Sequence, residues 1–272
     1  MSGYLIDGDK MSILDLGDVQ INYVDEGDPD GQPVVFANSL GTNFHLWDQV
    51  VDLLPKGLRL IRYDKRGHGG SSVPDAPYSM GGLVTDVERL LDHLGVKDCV
   101  FVGCSIGGMI AQGLAVKRLD LVRAMVVSNS AAKIGTKAMW QDRMDAIKAD
   151  GLDGIADGVM ERWFAKPFLQ SGALTPWRDM LAQTPEQGYL GCCAAISGTD
   201  FLATTATLTL PSLFIAGSED GSTPPDLVRE TAALVKGSEF HLIRGTGHLP
   251  CVEKPEAFAT KLNEFLEGVG HV

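Results

Sequence analysis

A glycine-rich turn with a serine at its centre dictates much of the architecture expected of this chain. The segment Gly103-Cys104-Ser105-Ile106-Gly107-Gly108 has the pattern G-x-S-x-G and lies between a strand-like apolar run and a helical pattern. A strand that turns this sharply into a helix needs small flanking residues, and it places the serine above the sheet edge. The dipole at the helix N-terminus favours negative charge that develops there. This context predicts that Ser105 is a nucleophile, rather than part of a turn that only packs a helix on a strand.

The residues around this turn alternate between strand and helix patterns. Short apolar, β-branched runs predict strands, and apolar residues spaced three and four apart predict helices. Strands are predicted at residues 19–23, 34–37, 58–63, 99–103 and 124–128, and helices at 80–94 and 106–117. The alternation resumes with strands at 211–216 and 239–243 and helices at 225–235 and 255–266. Such alternation predicts an α/β domain on a mostly parallel sheet.

The stretch of residues 131–205 interrupts this alternation. It shows no strand pattern, and helices are predicted at residues 136–149, at 155–164 and from Thr184 onward. In Thr184-Pro185-Glu186-Gln187, Thr184 would be the N-cap, Pro185 the first helical residue and Gln187 the third. We therefore expect a core domain formed by residues 1–130 and 206–272, with a helical cap at residues 131–205 inserted into it.

Charge and cysteine usage exclude several classes of protein. The 272 residues include 23 Lys and Arg against 35 Asp and Glu, and the net charge of −12 opposes binding to nucleic acid or an anionic membrane. The five cysteines have no CxxC spacing and no histidine at a ligand interval, so neither a zinc site nor a disulfide framework is predicted. The first ten residues, MSGYLIDGDK, lack the apolar run of a secretory signal, and a reducing cytoplasm is the expected compartment.

A serine needs a base and an orienting acid before it can react at neutral pH. His248 follows the last predicted strand in the loop RGTGHLP, where the carboxyl ends of the strands gather. Asp220 lies in the loop after residues 211–216, further into that loop than the rival acid Glu219. Asn129 also follows a strand, but it is uncharged and cannot be the acid. The chain order Ser105, Asp220, His248 is that of the α/β-hydrolases.

Two backbone N–H groups are needed to stabilise an oxyanion. Ile106 directly follows the nucleophile, and we place the second donor at Leu40, in the loop after residues 34–37. Cys104 is the rival nucleophile, but because it precedes the serine it should point into the sheet. His68 lies in a tight loop before the serine and is interpreted as structural.

Six segments together resemble the 3-oxoadipate enol-lactonases, which have the α/β-hydrolase fold. They are VFANSLGTNFHLWDQV, RYDKRGHGGSS, VGCSIGGMIAQGLA, SNSAAKIGTKAMWQDR, GSEDGSTPPDLV and GTGHLPCVEKPEAF. The resemblance spans about residues 20–268. It implies an eight-stranded, mostly parallel sheet flanked by helices, with the cap inserted before the last two strands. Cys104 stands where many members of this family have Leu, and we interpret this difference as a change in packing.

The resemblance also implies a reaction. It is the hydrolysis of 3-oxoadipate enol-lactone to 3-oxoadipate, during the catabolism of aromatic compounds, through an acyl-enzyme. No metal and no organic cofactor is expected. The expected partner is a small anionic lactone, with no nucleic acid and no membrane, and a homo-oligomer is left open.

The carboxylate of such a substrate needs a nearby cation, because the chain as a whole is acidic. On the helix predicted from residue 136, Trp140, Arg143, Met144 and Ile147 share one face by their spacing. The planar guanidinium of Arg143 suits a carboxylate, and Trp140 would add an apolar wall. The alternative is that the apolar members only pack the cap onto the core while Arg143 stays solvated.

Two further residues are candidates for binding the substrate, Ser39 in the expected core domain and Trp163 in the expected cap. If Arg143 has only a structural role, the carboxylate would bind one of three other cations, which are Lys65, Lys133 and Arg162.

Several other functions fit the same motifs. A short-chain carboxylesterase, a cofactor-free perhydrolase or a hydrolase of C–C bonds would use the same serine. A haloalkane dehalogenase is disfavoured, because its nucleophile would be an aspartate and this chain has Ser105. A ligand receptor without catalysis is the alternative from a different class, and a complete Ser/Asp/His set argues against it.

Overall fold

An eight-stranded sheet forms the centre of the protein in the computed structural model, which describes residues 11–272. The strand order is β1-β2-β4-β3-β5-β6-β7-β8. The strands are β1 Met11–Asp15, β2 Gln20–Gly27, β3 Gln32–Ala37, β4 Leu58–Tyr63, β5 Cys99–Cys104, β6 Val122–Ser128, β7 Ser212–Gly217 and β8 Glu239–Ile243. Strands β3 to β8 run parallel to one another, while β2 pairs antiparallel with both β1 and β4. The first ten residues, where the sequence predicts no secretory signal, lie outside the described part of the chain.

Helices flank this sheet and form a separate group between β6 and β7. The flanking helices are α1 Asp48–Val51, α2 Met80–His93, α3 Ile106–Lys117, α9 Pro225–Leu234, α10 Pro250–Glu253 and α11 Pro255–Gly268. The group between β6 and β7 comprises α4 Lys137–Trp163, α5 Lys166–Leu169, α6 Thr175–Ala182, α7 Glu186–Ser197 and α8 Leu202–Thr205. Among residues 11–272, no helix combines the length and the apolar character that crossing a bilayer needs. The expected fold class, including helices inserted before the last two strands, is confirmed.

The sequence predicted most of these elements because their burial follows local patterns. In α2, Ser79 accepts a hydrogen bond from Gly82 N at 3.1 Å, and its apolar stripe, including Leu83 and Val87, is buried. The strand β1 was not predicted. Its residues are mostly exposed, Ile13 by 63%, so its pairing with β2 rather than an apolar face defines it.

The cap, as we call residues 131–205, differs from its prediction in one detail. The two helices expected at its start are present as the two halves of α4 Lys137–Trp163, which divides at Gly151, where φ is 71° and ψ is 176°. Thr184 is not an N-cap, because α7 begins at Glu186 with Pro185 in the capping position. The Thr184 hydroxyl instead donates to Met180 O at 3.0 Å, at the end of α6. A preceding helix therefore uses the hydroxyl that the local pattern assigned to the next one.

The topology of the sheet determines where the loops meet. Because β3, β5, β7 and β8 are parallel, the loops after them emerge at the same edge of the sheet. These loops carry Leu40, Ser105, Asp220 and His248, respectively. The four predicted positions are thereby brought to one edge.

Candidate active site

Ser105 occupies a strained turn between β5 and α3. Its φ of 57° and ψ of −119° are rare for a residue with a side chain. The backbone on both sides fixes this conformation, because Ser105 N donates to Ser128 O at 2.9 Å and Ser105 O accepts from Gly108 N at 2.8 Å. The hydroxyl of Ser130 also donates to Ser105 O, at 2.6 Å. The turn is therefore locked by β6 as well as by its own helix.

Two glycines of the motif are required by close packing. A Cβ atom on Gly103 would lie 2.1 Å from Gly107 O. A Cβ atom on Gly107 would lie 2.2 Å from Ala37 O, so α3 approaches β3 more closely than any side chain allows. The spacing of the glycines around Ser105 thus reflects the packing of α3 against the sheet.

His248 and Asp220 form a buried pair at the same edge. His248 Nδ1 lies 2.9 Å from Asp220 Oδ2 and 3.1 Å from Oδ1, and the two side chains are almost fully buried. Glu219, the rival acid, is exposed. The structure therefore brings Asp220, and not Glu219, to the histidine.

Two residues that the sequence reasoning did not assign complete the surroundings of Asp220. Asn129 Nδ2 donates to Asp220 Oδ2 at 2.8 Å, and Thr223 Oγ1 donates to the same oxygen at 2.8 Å. The backbone N–H groups of Ser222 and Thr223 donate to Asp220 Oδ1 at 2.7 and 3.0 Å. The contact with Ser222 N had a signal, since an Asp side chain commonly accepts a hydrogen bond from the backbone two residues further on. No such pattern indicates the Thr223 hydroxyl. For Asn129, the sequence showed that it follows a predicted strand, but not that it contacts Asp220.

These contacts set the protonation of the pair. Burial opposes the ionisation of Asp220, but the charge of His248 and the hydrogen bonds from His248, Asn129 and Thr223 hold its pKa below the usual range. Burial likewise opposes the charged form of His248, but the Asp220 carboxylate outweighs burial and raises the pKa of His248. An ionised acid thus supports an imidazole that is readily protonated.

A cavity of about 640 Å³ lies between this edge of the sheet and the cap. The predicted residues that line it are Ser39, Leu40, Ser105, Trp140, Arg143, Trp163 and His248. Asp220 lies behind His248, and Ile106 contributes the first N–H of α3 beside Ser105. Within residues 11–272, Ser105 and His248 share this cavity but no hydrogen bond joins their side chains. Catalytic hydrogen bonds are commonly long before substrate binds.

The face predicted on the first cap helix divides between two environments. Trp140 and Arg143 line the cavity, whereas Ile147 is fully buried and Met144 packs against the core. Arg143 Nη2 donates to Tyr189 Oη, and the guanidinium lies 5.6 Å from the centre of the Trp140 ring. In the part of the chain that the structure describes, no carboxylate forms an ion pair with Arg143, and its buried Nε has no partner.

The other cations named as alternatives are placed differently. Lys133 is exposed and forms an ion pair with Asp200 at 2.8 Å, outside the cavity. Lys65 is 2% exposed and does not line the cavity, so it cannot bind a substrate carboxylate there. Arg162 does line the cavity, and burial together with the charge of Arg143 lowers its pKa.

The cap is joined to the histidine loop by direct hydrogen bonds. His248 N donates to Trp163 O at 2.6 Å, at the end of α4. The carboxylate of Glu253 accepts from Gly247 N at 2.5 Å and from Ala165 N at 2.9 Å, so it links the two segments. Burial raises the pKa of Glu253 to about 7. The cap therefore fixes the position of His248 as well as covering the cavity.

The rival nucleophile is buried in the sheet. Cys104 is completely buried, and its Sγ lies 3.8 Å from His248 O. A hydrogen bond with Cys251, together with burial, raises the pKa of Cys104 well above its usual value. A thiol with a raised pKa is a poor nucleophile. Among residues 11–272, no group of three His, Cys, Asp or Glu residues is placed to hold a metal ion.

The strand order, the strained serine and the buried histidine–aspartate pair define a class of protein. A family model described as alpha/beta hydrolase fold matches residues 32–255. The chain belongs to the α/β-hydrolase family, and it is a hydrolase.

Within that family, the chain is similar to enol-lactonases. It is 35% identical over 249 residues to 3-oxoadipate enol-lactonase 2 of Acinetobacter baylyi, a match that covers 89% of this chain and 91% of that protein. It is 33% identical to 3-oxoadipate enol-lactonase 1 of the same organism, covering 92% and 93%. The crystal structure of the enol-lactonase from Burkholderia xenovorans is similar with a TM-score of 0.91 at 30% identity, covering 94% of this chain and 100% of that one. The resemblance to 3-oxoadipate enol-lactonases is confirmed.

Proposed function

We propose that this hydrolase opens 3-oxoadipate enol-lactone to 3-oxoadipate, with Ser105 as nucleophile, His248 as general base and Asp220 as the acid that orients it. The observation that carries the proposal is one cavity that contains Ser105, His248 and a guanidinium without a carboxylate partner among the described residues. The similarity to enol-lactonases supports the choice of substrate.

The chemistry follows from the positions of these groups. Ser105 Oγ attacks the lactone carbonyl carbon while His248 takes its proton, and the N–H groups of Leu40 and Ile106 stabilise the oxyanion. The ring C–O bond then breaks, and the leaving enolate oxygen takes the proton from His248, which becomes neutral again. The enol then becomes the ketone. Water, activated by His248, hydrolyses the acyl-enzyme and regenerates Ser105. Every step uses groups of this chain.

The substrate differs from a simple ester by its ionised acetate arm. A protein with a net charge of −12 repels an anion at long range, so a local cation has to bind it. Arg143 meets this need because it faces the cavity and Tyr189 fixes its guanidinium. A fixed planar fork binds a carboxylate with two hydrogen bonds, at little additional loss of side-chain entropy.

Replacement of Arg143 tests this assignment. Arg143→Ala should raise KM for the enol-lactone roughly tenfold or more, the loss expected for a hydrogen bond to a charged group. The change should leave KM for a neutral chromogenic ester within about twofold, because that substrate carries no carboxylate. Steady-state kinetics of both substrates on the same preparations provide the measurement.

Arg178→Ala is the matched control, because Arg178 also lies on a cap helix but pairs with Asp153 and Asp157 and does not line the cavity. It should change neither KM. Equal increases in both KM values for Arg143→Ala would show that Arg143 only packs the cap. Faster turnover of a neutral lactone than of the enol-lactone by the wild-type enzyme would contradict the proposed substrate.

A further inference from the structure

Lys65 is a buried cation that the proposed reaction does not use directly. It follows β4, and its side chain is 2% exposed. Its Nζ donates to Ser39 O at 2.7 Å and to Thr42 O at 3.2 Å, both in the loop after β3. Burial lowers the pKa of Lys65 to about 8, so the ammonium form still dominates at neutral pH. The cation therefore lies beneath the loop that carries Leu40.

Within residues 11–272, no carboxylate lies close enough to form an ion pair with Lys65. The neighbouring Asp64 is engaged elsewhere, because it accepts hydrogen bonds from Asn22 Nδ2 and from the N–H groups of Phe44 and Gly70. A buried charge that is satisfied only by carbonyl oxygens costs several kcal/mol. An apolar side chain of similar length would fill the same space at lower cost. The charge therefore needs an explanation beyond packing.

The geometry of the peptide unit supplies that explanation. The oxygen that Lys65 binds belongs to the same peptide as the N–H of Leu40. This peptide is trans, since the only cis peptide bond among the described residues is Ala76-Pro77. In a planar trans peptide the C=O and N–H bonds point in opposite directions. When Lys65 holds Ser39 O on the side away from the cavity, it directs Leu40 N–H toward the cavity.

Two neighbouring N–H groups of this loop already have acceptors. Gly41 N donates to His68 Nε2 at 3.0 Å, and Thr42 N donates to Ser39 O at 3.3 Å. Burial and the charge of Lys65 hold the pKa of His68 well below its usual value, so its Nε2 remains an acceptor. Among residues 11–272, Leu40 N–H has no acceptor. Leu40 N–H is therefore a free donor, and Leu40 and Ser105 both line the cavity.

We propose that Lys65 is a positioning residue of the oxyanion hole, which orients the Ser39–Leu40 peptide and polarises it so that Leu40 N–H is a stronger donor. The proposal rests on the proposed serine mechanism, because it concerns the donor that stabilises the oxyanion formed by Ser105. Lys65 itself contacts neither the substrate nor Ser105. Its effect is confined to states in which the oxyanion exists.

Replacement of Lys65 by an apolar residue of similar length tests the proposal. Lys65→Met should lower kcat for p-nitrophenyl acetate roughly tenfold to a hundredfold, somewhat less than the loss of an oxyanion donor itself. KM should change by less than about twofold, because the ground-state ester carries no oxyanion. Inhibition by trifluoroacetone, whose ketone carbon accepts Ser105 Oγ and whose oxygen becomes an oxyanion, should weaken by a similar factor.

Lys261→Met is the control, since Lys261 is a partly buried lysine that forms ion pairs with Glu239 and Glu264 away from the cavity. It should leave kcat and inhibition unchanged. A Lys65→Met enzyme with a lower melting temperature but wild-type kcat and wild-type inhibition would show a purely structural role and overturn the proposal. If trifluoroacetone does not inhibit the wild-type enzyme, the serine mechanism itself fails.

A second variant keeps the test informative if Lys65→Met does not fold. Lys65→Gln retains an N–H donor for Ser39 O but removes the charge. Its losses in kcat and in inhibition should be equal to each other, and smaller than those of the methionine variant where both fold. Wild-type values for both quantities in Lys65→Gln would overturn the proposal.

Discussion

At the scale of single residues, the chemistry of the site depends on how Asp220 is surrounded. Five hydrogen-bond donors converge on its carboxylate, one each from His248, Asn129 and Ser222 and two from Thr223. They keep the acid ionised although it is buried, and the acid in turn raises the pKa of His248. The orientation and the basicity of the imidazole therefore have one common source.

Replacement of this acid should change both rate and pH dependence. Asp220→Asn should lower kcat by several orders of magnitude, because the amide can favour the unproductive tautomer of His248. In the wild-type enzyme, activity should rise with pH through a pKa above the usual histidine value, since the base has to be neutral. In Asp220→Asn, that rise should move to lower pH, because burial then acts on His248 without the opposing carboxylate.

Glu219→Gln is the control for that experiment, since Glu219 is the adjacent acid and is exposed. Its rate and its pH profile should stay close to those of the wild-type enzyme. Equal losses in the two variants would mean that the assignment of Asp220 is wrong.

Which residues could be predicted depends on how local their interactions are. The strained turn at Ser105 was predictable because the strand, the turn and the helix are consecutive in the chain. Asn129 contacts Asp220 across 91 positions of sequence, and Lys65 contacts Ser39 across 26, so no local pattern indicates either contact. Lys65 was considered as a residue that binds the substrate carboxylate, because the sequence shows that it is a lysine. The sequence does not show that it is buried.

At the scale of secondary-structure elements, the close approach of α3 to β3 creates the serine turn. This approach is possible because Gly107 has no side chain beside Ala37 O. The same arrangement places the N-terminus of α3 next to Ser105, where helix N–H groups have no partner within the helix. Packing of a helix on the sheet and stabilisation of negative charge thus depend on the same glycine.

A methyl group on residue 107 should therefore push α3 away from β3. Gly107→Ala should destabilise the protein by roughly 1–3 kcal/mol, the usual cost of overpacking, and lower its melting temperature by several degrees. Because the Cβ would meet backbone atoms, no side-chain rotation relieves the contact. Calorimetry or thermal circular dichroism measures the change.

Gly81→Ala in α2 is the matched helical control, since its Cβ would meet only Ser79 Oγ, at 3.9 Å. That variant should be unchanged or slightly more stable, because alanine favours the helix over glycine. A wild-type melting temperature for Gly107→Ala would contradict the packing described for α3 and β3.

Secondary structure was predictable where periodicity follows burial, and less so at the cap. The sequence predicted a gap between two helices here, and the non-helical φ and ψ of Gly151 divide α4 at that gap. The edge strand β1 escaped prediction because pairing with β2, and not an apolar face, defines it. The prediction that Thr184 caps α7 was wrong because its hydroxyl instead donates to Met180 O in α6.

At the scale of the whole molecule, the cap and the sheet edge enclose one reaction space. Hydrogen bonds from His248 N to Trp163 O and from Ala165 N to Glu253 connect the cap to the loop that carries the proposed base. The net negative charge of the chain repels anions at long range, while Arg143 and Arg162 provide positive charge inside the cavity. The proposed enol-lactone substrate agrees with this contrast, because it is small and carries one carboxylate.

The central claim is that Ser105 forms an acyl-enzyme with the enol-lactone. Its most direct test is the comparison of kcat/KM for 3-oxoadipate enol-lactone between the wild-type enzyme and Ser105→Ala, with thermal unfolding of both. We predict many turnovers by the wild-type enzyme, a loss on the order of 10⁴ or more in the variant, and similar melting temperatures. Most of the activity remaining in a folded Ser105→Ala enzyme, or no turnover of the enol-lactone by the wild-type enzyme, would contradict the account.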